Sequence, residues 1–133
     1  MANWIIPCNL KYYDVLGAFG KLSRIDWKQS AKNIAVNDMV YIYVGRPIMA
    51  IKFKCRVNKI NLTSIEIDDS EFVIIGDNYV NYGNHMELEL ITSYDNELTL
   101  DKLVVHGLRG NIQGPRRVVE ELQEFIDTIN SQF

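Results

Sequence analysis

The feature that most constrains this chain is a strict alternation of apolar and polar side chains between residues 48 and 60. The apolar positions are Ile51, Phe53, Cys55 and Val57, and the polar positions between them are Lys52, Lys54, Arg56 and Asn58. Successive side chains of a β-strand point to opposite faces, so this pattern predicts one long strand with a dry face and a basic face. Such a strand needs paired neighbours and a cover over its apolar face.

Other segments supply those neighbours. Residues 39–44 alternate Val40, Ile42 and Val44 with Tyr41 and Tyr43, which predicts a strand with its tyrosines on the second face. Shorter strands are predicted at 3–7, ended by Pro7, and at 71–75 and 86–91. Turn-forming residues lie between these strands at 45–47, 76–78 and 82–84.

Helices are predicted near both ends of the sequence. Asn9 is placed to cap a helix over 11–22, and Pro115 is placed at the first position of a final helix. The pattern over 98–105 fits either a helix or a strand. Strands in consecutive runs predict an α+β fold, with a mixed sheet curled into a partly closed β-barrel, flanked by helices and followed by a C-terminal helix. At 133 residues, the chain is expected to be a single domain over 1–133.

The sequence lacks the residue patterns of several classes of metal site and enzyme. Cys8 and Cys55 belong to no CxxC pair, and no zinc-ligand spacing is present. The zinc deaminase, GxSxG, HExxH and P-loop patterns are also missing, so no catalytic residue, metal or cofactor is predicted. No apolar run reaches the ~18 residues of a membrane span, and the sequence does not open on a secretory leader. A cytoplasmic protein with no membrane partner is expected.

The charge is distributed unevenly along the sequence, although the formal net charge is only −3. Residues 1–60 contain ten Lys and Arg against three Asp and Glu, whereas residues 61–105 contain one Lys against ten acids. The basic part is able to attract phosphates. The alternative is that the two parts neutralise each other across the folded surface.

Four segments carry a resemblance to a known family. Trp4–Asn9 reads WIIPCN, Asp26–Ser30 reads DWKQS, Val36–Gly45 reads VNDMVYIYVG, and Arg109–Arg117 reads RGNIQGPRR. Together they resemble EVE-type domains of the PUA-like superfamily, over about the first 60 residues and the late arginine motif. The segment 61–105 adds only compatible strands.

The resemblance implies a pseudo-barrel that holds one flipped-out or single-stranded base in a pocket. It also implies DNA or RNA carrying a modified base, for example methylated cytosine, as the partner, and a separately encoded nuclease as a further partner. A related class, the ASCH-type domains, includes small amidohydrolases that act on acetylated cytidine with Lys, Thr and Glu. That triple is not placed in this sequence.

Candidate base-binding residues are those with aromatic faces or paired hydrogen-bonding groups, since an extruded base is held by stacking and by bonds to its edge. They are Trp27, Tyr41, Tyr43, Asn9, Ser30 and Gln29. Each has a plainer reading. Trp27 is then a packing residue of the loop before a strand, the tyrosines lie on a sheet surface, Asn9 caps a helix, and Ser30 and Gln29 are solvated.

The late loop supplies the candidate phosphate-binding residues Arg109, Arg116, Arg117, Gly110 and Gly114. Arginine binds phosphate in a bidentate manner, glycine lets backbone N–H groups approach an anion, and a helix N-terminus adds its positive end. The alternative is pairing of these arginines with Glu120 and Glu121. The sequence therefore favours a nucleic-acid-binding module, with a small ASCH-like amidohydrolase and a protein-interaction module as alternatives.

Overall fold

The computed structural model describes residues 1–63, 70–73 and 84–133. Its elements are β1 (Asn3–Cys8), α1 (Val15–Lys21), β2 (Arg24–Lys28), β3 (Met39–Val44), β4 (Ala50–Leu62), a 3-10 turn (Ser70–Phe72), β5 (His85–Ser93), α2 (Leu100–Val105), β6 (Arg116–Arg117) and α3 (Glu120–Asn130). This confirms the predicted α+β class and the C-terminal helix. The strand predicted at 71–75 is wrong at Glu71 and Phe72, which belong to the 3-10 turn. Its positions 74–75 and the predicted turns at 76–78 and 82–83 lie outside the described residues.

The strands form one mixed sheet in the order β2-β5-β4-β3-β1-β6. β1 and β3 are parallel, and the other pairs are antiparallel. In the part of the chain that is described, β2 and β6 are the two edges, so the sheet does not close. The parallel pair brings the ends of β1 and β3 together, and the Gly45 N–H donates to the Cys8 carbonyl at 3.1 Å.

Two hydrophobic cores cover opposite faces of the sheet. The first lies against α1 and includes Trp4, Ile6, Val40, Ile42 and Phe53 among its buried residues. The second lies against α2 and α3. Its buried residues include Ile5, Tyr41, Tyr43, Leu103, Leu122 and Ile126. The strand alternation predicted for residues 39–44 is therefore confirmed.

The long strand is confirmed as β4, with one change to its predicted faces. Phe53, Cys55 and Val57 belong to the first core, but Ile51 belongs to the second. Ile42 pairs with Phe53 while Tyr43 pairs with Ile51, so the register shifts there by one residue. A bulge of this kind turns every following side chain to the other face.

The first helix is shorter than predicted. It begins at Val15, and Asp14 caps it by accepting a hydrogen bond from the Gly17 N–H at 3.0 Å. Asn9 instead closes a turn, in which its Oδ1 accepts from the Lys11 N–H at 2.9 Å. Asx turns of this type compete with helix capping.

The final helix begins at Glu120 and not at Pro115, and Arg116 and Arg117 form β6 beside Ile5 and Trp4. β1 also continues through the predicted stop at Pro7. That proline is tolerated because β6 pairs only with Trp4 and Ile5, which leaves the edge of β1 free at Pro7.

Among the described residues, a membrane crossing by a helix is ruled out, since no helix there has the necessary length and apolar character.

Candidate ligand-binding cleft at the end of β1

A small cavity opens where β1 ends, and we call it the aromatic cavity. It has a volume of about 170 Å³ and is lined by Pro7, Cys8, Asn9, Tyr12, Tyr13, Trp27 and Lys28. β1 supplies the floor, the turn after it supplies the tyrosines, and β2 supplies Trp27 and Lys28. The turn after β1 and the strand β2 thus place three aromatic rings around one space.

Trp27 forms a wall of this cavity from within β2, not from the predicted loop. Its ring lies 5.5 Å from that of Tyr13, at an interplanar angle of 78°. The antiparallel pairing of Trp27 with Met86 fixes its position, while the indole itself stays only half-buried. Within the described residues the indole N–H makes no hydrogen bond, so it is available to a ligand. The base-binding role of Trp27 remains a prediction.

β2 was missed because only Ile25 and Trp27 are apolar in a strand otherwise made of charged residues. Asp26 lies between them in the strand and is fully buried, which sequence reasoning does not anticipate for an acid. Tyr12 and Tyr13 were also missed as cavity residues, because both fell within the helix predicted over 11–22. Two adjacent tyrosines directly after a strand end were the signal that could have indicated them.

Asn9 lines the aromatic cavity and is exposed. Its Oδ1 is occupied by the Lys11 N–H. Its Nδ2 has no hydrogen-bond partner in the described ranges and can therefore donate to a ligand.

A second cavity adjoins the first, and we call it the arginine cavity. It has a volume of about 340 Å³, and its lining residues are Pro7, Cys8, Asn9, Tyr43, Gly45, Arg46 and Ile112. Arg46 is exposed and was not singled out from the sequence. Ile112 brings the late loop to this cavity. A cation following a buried strand in a Gly-Arg-Pro turn was the signal for Arg46.

The structure separates the two tyrosines that were predicted to share a pocket. Tyr43 lines the arginine cavity, and burial raises the pKa of its phenol, so the hydroxyl remains a donor at neutral pH. Tyr41 is 1% exposed in the second core, where its hydroxyl accepts from Gln123 Nε2 and Asn130 Nδ2, each at 3.4 Å. Tyr41 therefore lines neither cavity.

Gln29 and Ser30 lie around a different, polar cavity of about 290 Å³ together with Ala31, Lys32, Asn61 and Asn84. The Gln29 amide is engaged on both sides by Asn61: Nε2 donates to Asn61 Oδ1 at 3.0 Å, and Oε1 accepts from the Asn61 N–H at 2.7 Å. This amide would have to break both bonds to contact a base. The predicted base-binding set is therefore divided between separate places.

The late arginines lie on β6, which pairs with β1, and on the loop before it; Arg109 and Arg117 are exposed, and Arg116 is half-buried. Arg116 Nη1 donates to the Arg109 carbonyl at 2.8 Å, and the Arg117 guanidinium lies 4.7 Å from the centre of the Trp4 ring. In the described segments none of these arginines forms an ion pair, so the predicted alternative of pairing with Glu120 or Glu121 is not found.

The expected helix N-terminus does not contribute to this group, because β6 lies between the loop and α3. Of the two glycines predicted to approach phosphate, Gly110 has a φ of 71°, a conformation that suits glycine. Gly114 does not have a positive φ.

Charges from the basic and acidic parts of the sequence meet on the sheet. Arg56 contacts Glu89 at 2.6 Å, while Arg24 and Lys59 lie 3.8 and 3.9 Å from Glu87. On this face of the sheet, the basic and acidic parts of the sequence therefore neutralise each other, as the alternative interpretation of the sequence predicted. This neutralisation does not extend to the cleft, where Lys28 and Arg46 form no ion pair with any described residue.

The chemistry of the thiols argues against nucleophilic catalysis in the cleft. Cys8 lies in the floor of both cavities, and burial raises the pKa of its thiol to about 12. Burial also raises the pKa of the Cys55 thiol well above its usual range. Because the thiolate is the reactive form, both cysteines are inert at neutral pH. The described residues also contain no cluster of acids, His and Cys that could hold a metal ion.

We expect the folded protein to resist alkylation for this reason. Iodoacetamide at pH 7.5 should label neither Cys8 nor Cys55 within minutes, whereas both should react in urea. Intact-mass measurement of the adducts checks this. Rapid single labelling of Cys8 in the folded protein would indicate an activated thiol.

Neither a family model nor a curated protein sequence matches the chain. Solved structures do match its fold. ASCH from Zymomonas mobilis superposes with a TM-score of 0.65 at 12% identity, over 96% of this chain and 95% of that one. A Pseudomonas putida protein gives 0.66 at 14% identity, over 96% and 99%. A hypothetical protein from Leishmania major gives 0.63 at 14% identity, over 99% and 96%.

The chain therefore has the fold of ASCH proteins, a PUA-like fold. This confirms the predicted PUA-like fold, while the EVE assignment is not shown. The identities are too low to transfer an activity.

Proposed function

We propose that this protein binds single-stranded nucleic acid and holds one base, modified for example by methylation, in the aromatic cavity. The observation that carries the proposal is that Trp27, Tyr12 and Tyr13 line one small cavity beside Lys28, which forms no ion pair with any described residue. A flipped base is held by stacking on such faces and by bonds to its edge. The donors at Trp27 Nε1 and Asn9 Nδ2 can supply those bonds.

The size of the aromatic cavity supports a single planar group as the ligand. Pockets that enclose drug-sized ligands have volumes of ~300–1,000 Å³. The aromatic cavity, at about 170 Å³, is smaller than that. Its apolar walls are compatible with a methyl substituent on the base. The resemblance to modified-base readers is what favours such a substituent.

Direct binding measurements test this proposal. Short single- and double-stranded DNA and RNA, with and without 5-methylcytosine, are titrated against the purified protein at 50 and 200 mM salt. We expect the modified single strand to bind most tightly. If about three phosphates are contacted, log K should fall against log salt with a slope of roughly −2. Equal and negligible binding of every oligonucleotide would contradict the proposal, and selective binding of a protein such as a nuclease would favour an interaction module.

A small ASCH-like amidohydrolase is the second candidate, and the shared fold is what favours it. The aromatic cavity provides Lys28, but its described lining includes neither Thr nor Glu. Incubation with an acetylated cytidine followed by acetate detection tests this activity. Acetate release that is lost in Lys28→Ala would support the enzyme, whereas tight binding without release would support the binding module.

A further inference from the structure

The two cavities of the cleft are separated only by the end of β1. Both are lined by Pro7, Cys8 and Asn9. Tyr13 and Trp27 on one side pack with the first core, and Tyr43 on the other side belongs to the second core. The cavities therefore lie towards opposite faces of the sheet, and Asn9 stands between them.

The arginine cavity differs from the aromatic cavity in its chemistry. Arg46 is exposed, and its guanidinium makes no ion pair or hydrogen bond with the described residues. The Tyr43 hydroxyl also has no hydrogen-bond partner in the described ranges. A planar guanidinium with free N–H groups next to a neutral phenol is suited to a phosphate and its sugar.

The late loop extends this polar surface away from the cleft. Ile112 closes the arginine cavity on one side. The same loop carries Arg109, whose carbonyl accepts a hydrogen bond from Arg116 Nη1 at 2.8 Å. Arg116 pairs with Ile5, four residues before Asn9, which corresponds to about 13 Å along a strand. Cations therefore follow β1 from the cleft towards its start.

We propose that the arginine cavity receives the sugar-phosphate adjacent to the base held in the aromatic cavity, with the strand crossing over Asn9. The ligand is then a single-stranded segment of at least two nucleotides and not a free nucleoside. This inference rests on the proposed function. It adds the class of ligand and the residue, Arg46, that distinguishes a polymer from a monomer.

Calorimetric titration with one base in four forms tests the inference. The forms are the nucleoside of 5-methylcytosine, its 5′-monophosphate, its 3′-monophosphate and a dinucleotide that contains it. The monophosphate of the correct side and the dinucleotide should bind about tenfold more tightly than the nucleoside, as expected for one charge-assisted hydrogen-bonded contact. Arg46→Gln should remove this gain and leave the nucleoside Kd unchanged, while Arg46→Lys should retain part of it.

Lys21→Gln is the matched control, because Lys21 is exposed and lines neither cavity. It removes one positive charge and should leave all four Kd values unchanged. Equal affinity for all four forms, unaffected by Arg46→Gln, would overturn the inference while leaving the base pocket in place. No binding of any form here, together with no oligonucleotide binding in the earlier titration, would overturn the proposed function as well.

Discussion

Replacement of Trp27 by alanine is expected to weaken the binding of a base-containing ligand by about 5- to 150-fold. Stacking of a base on an aromatic side chain is worth ~1–3 kcal/mol by alanine substitution, and ~1.4 kcal/mol corresponds to a tenfold change in Kd. Trp27 has the largest side chain among the residues that line the aromatic cavity, and it lies on β2. Fluorescence anisotropy with a labelled single-stranded oligonucleotide measures the change.

The same substitution also affects folding, since Trp27 contacts Tyr13 edge-on at 5.5 Å. Two further variants separate the effects. Trp27→Phe keeps an aromatic face and should bind within about fivefold of the parent, because much of the stacking energy remains. Phe125→Ala removes a comparable half-buried ring that stacks on His106, far along the chain on α3, and should lower the melting temperature without changing Kd. Unaltered affinity of a folded Trp27→Ala protein would contradict the base pocket.

For Trp27, the sequence predicted part of the environment but not the strand that holds the residue. Its polar neighbours indicated that it is not an ordinary core residue, and the structure indeed leaves it half-buried at a cavity. The strand that holds it was not predicted, because the alternation in β2 is only two apolar residues long. Short strands of this kind are formed by pairing with a neighbour, here β5, and this pairing is not visible locally.

The separation of Tyr41 from Tyr43 could not have been predicted from the local pattern. Both tyrosines lie on the face opposite Val40 and Ile42, as the alternation indicates. Only the position of α3 decides that Tyr41 is covered while Tyr43 lies at the end of β3 beside the cleft. That position depends on where α3 begins. Pairing of Arg116 with β1 moved this start to Glu120.

The pairing of β1 with β3 explains why candidate residues from distant segments meet. Parallel strands place their carboxyl ends at the same edge of a sheet. Asn9 follows one such end, and Arg46 follows the other. The resemblance included Trp4–Asn9 and Val36–Gly45 as separate segments, and only the register of β1 and β3 makes their ends adjacent. The pairing of two strands that are far apart in the sequence therefore determines the site, and no short sequence pattern indicates that pairing.

Asp38 is expected to be the acid on which folding depends most among the described residues, and its loss should cost about 3 kcal/mol. Its carboxylate is 4% exposed and accepts three hydrogen bonds. The donors are the Ala2 N–H at 2.9 Å, the Trp4 indole N–H at 3.0 Å and the Ala35 N–H at 3.0 Å. Leaving buried donors without an acceptor costs ~1–3 kcal/mol each, partly offset by relaxation. Asp38→Asn keeps the shape but places an amide donor against those donors.

The pH dependence of stability identifies the charge as the cause. Burial alone raises the pKa of Asp38, but the hydrogen bonds from Ala2, Trp4 and Ala35 outweigh it and hold the pKa below its ordinary value of 3.8. The carboxylate therefore stabilises the fold above the pKa of the unfolded chain, and this contribution is lost as the pH falls through the lower pKa of the folded state.

Urea unfolding of the parent and of Asp38→Asn, followed by tryptophan fluorescence at pH 7, 5 and 3, measures this contribution. The difference in unfolding free energy should be full at pH 7 and 5 and begin to narrow at pH 3. Asp101→Asn, at an exposed position of α2, should change stability by less than about 0.5 kcal/mol. A cost for Asp38→Asn that stays constant from pH 7 to pH 3 would mean that shape and packing, not the ionised acceptor, hold the start of β1 against β3.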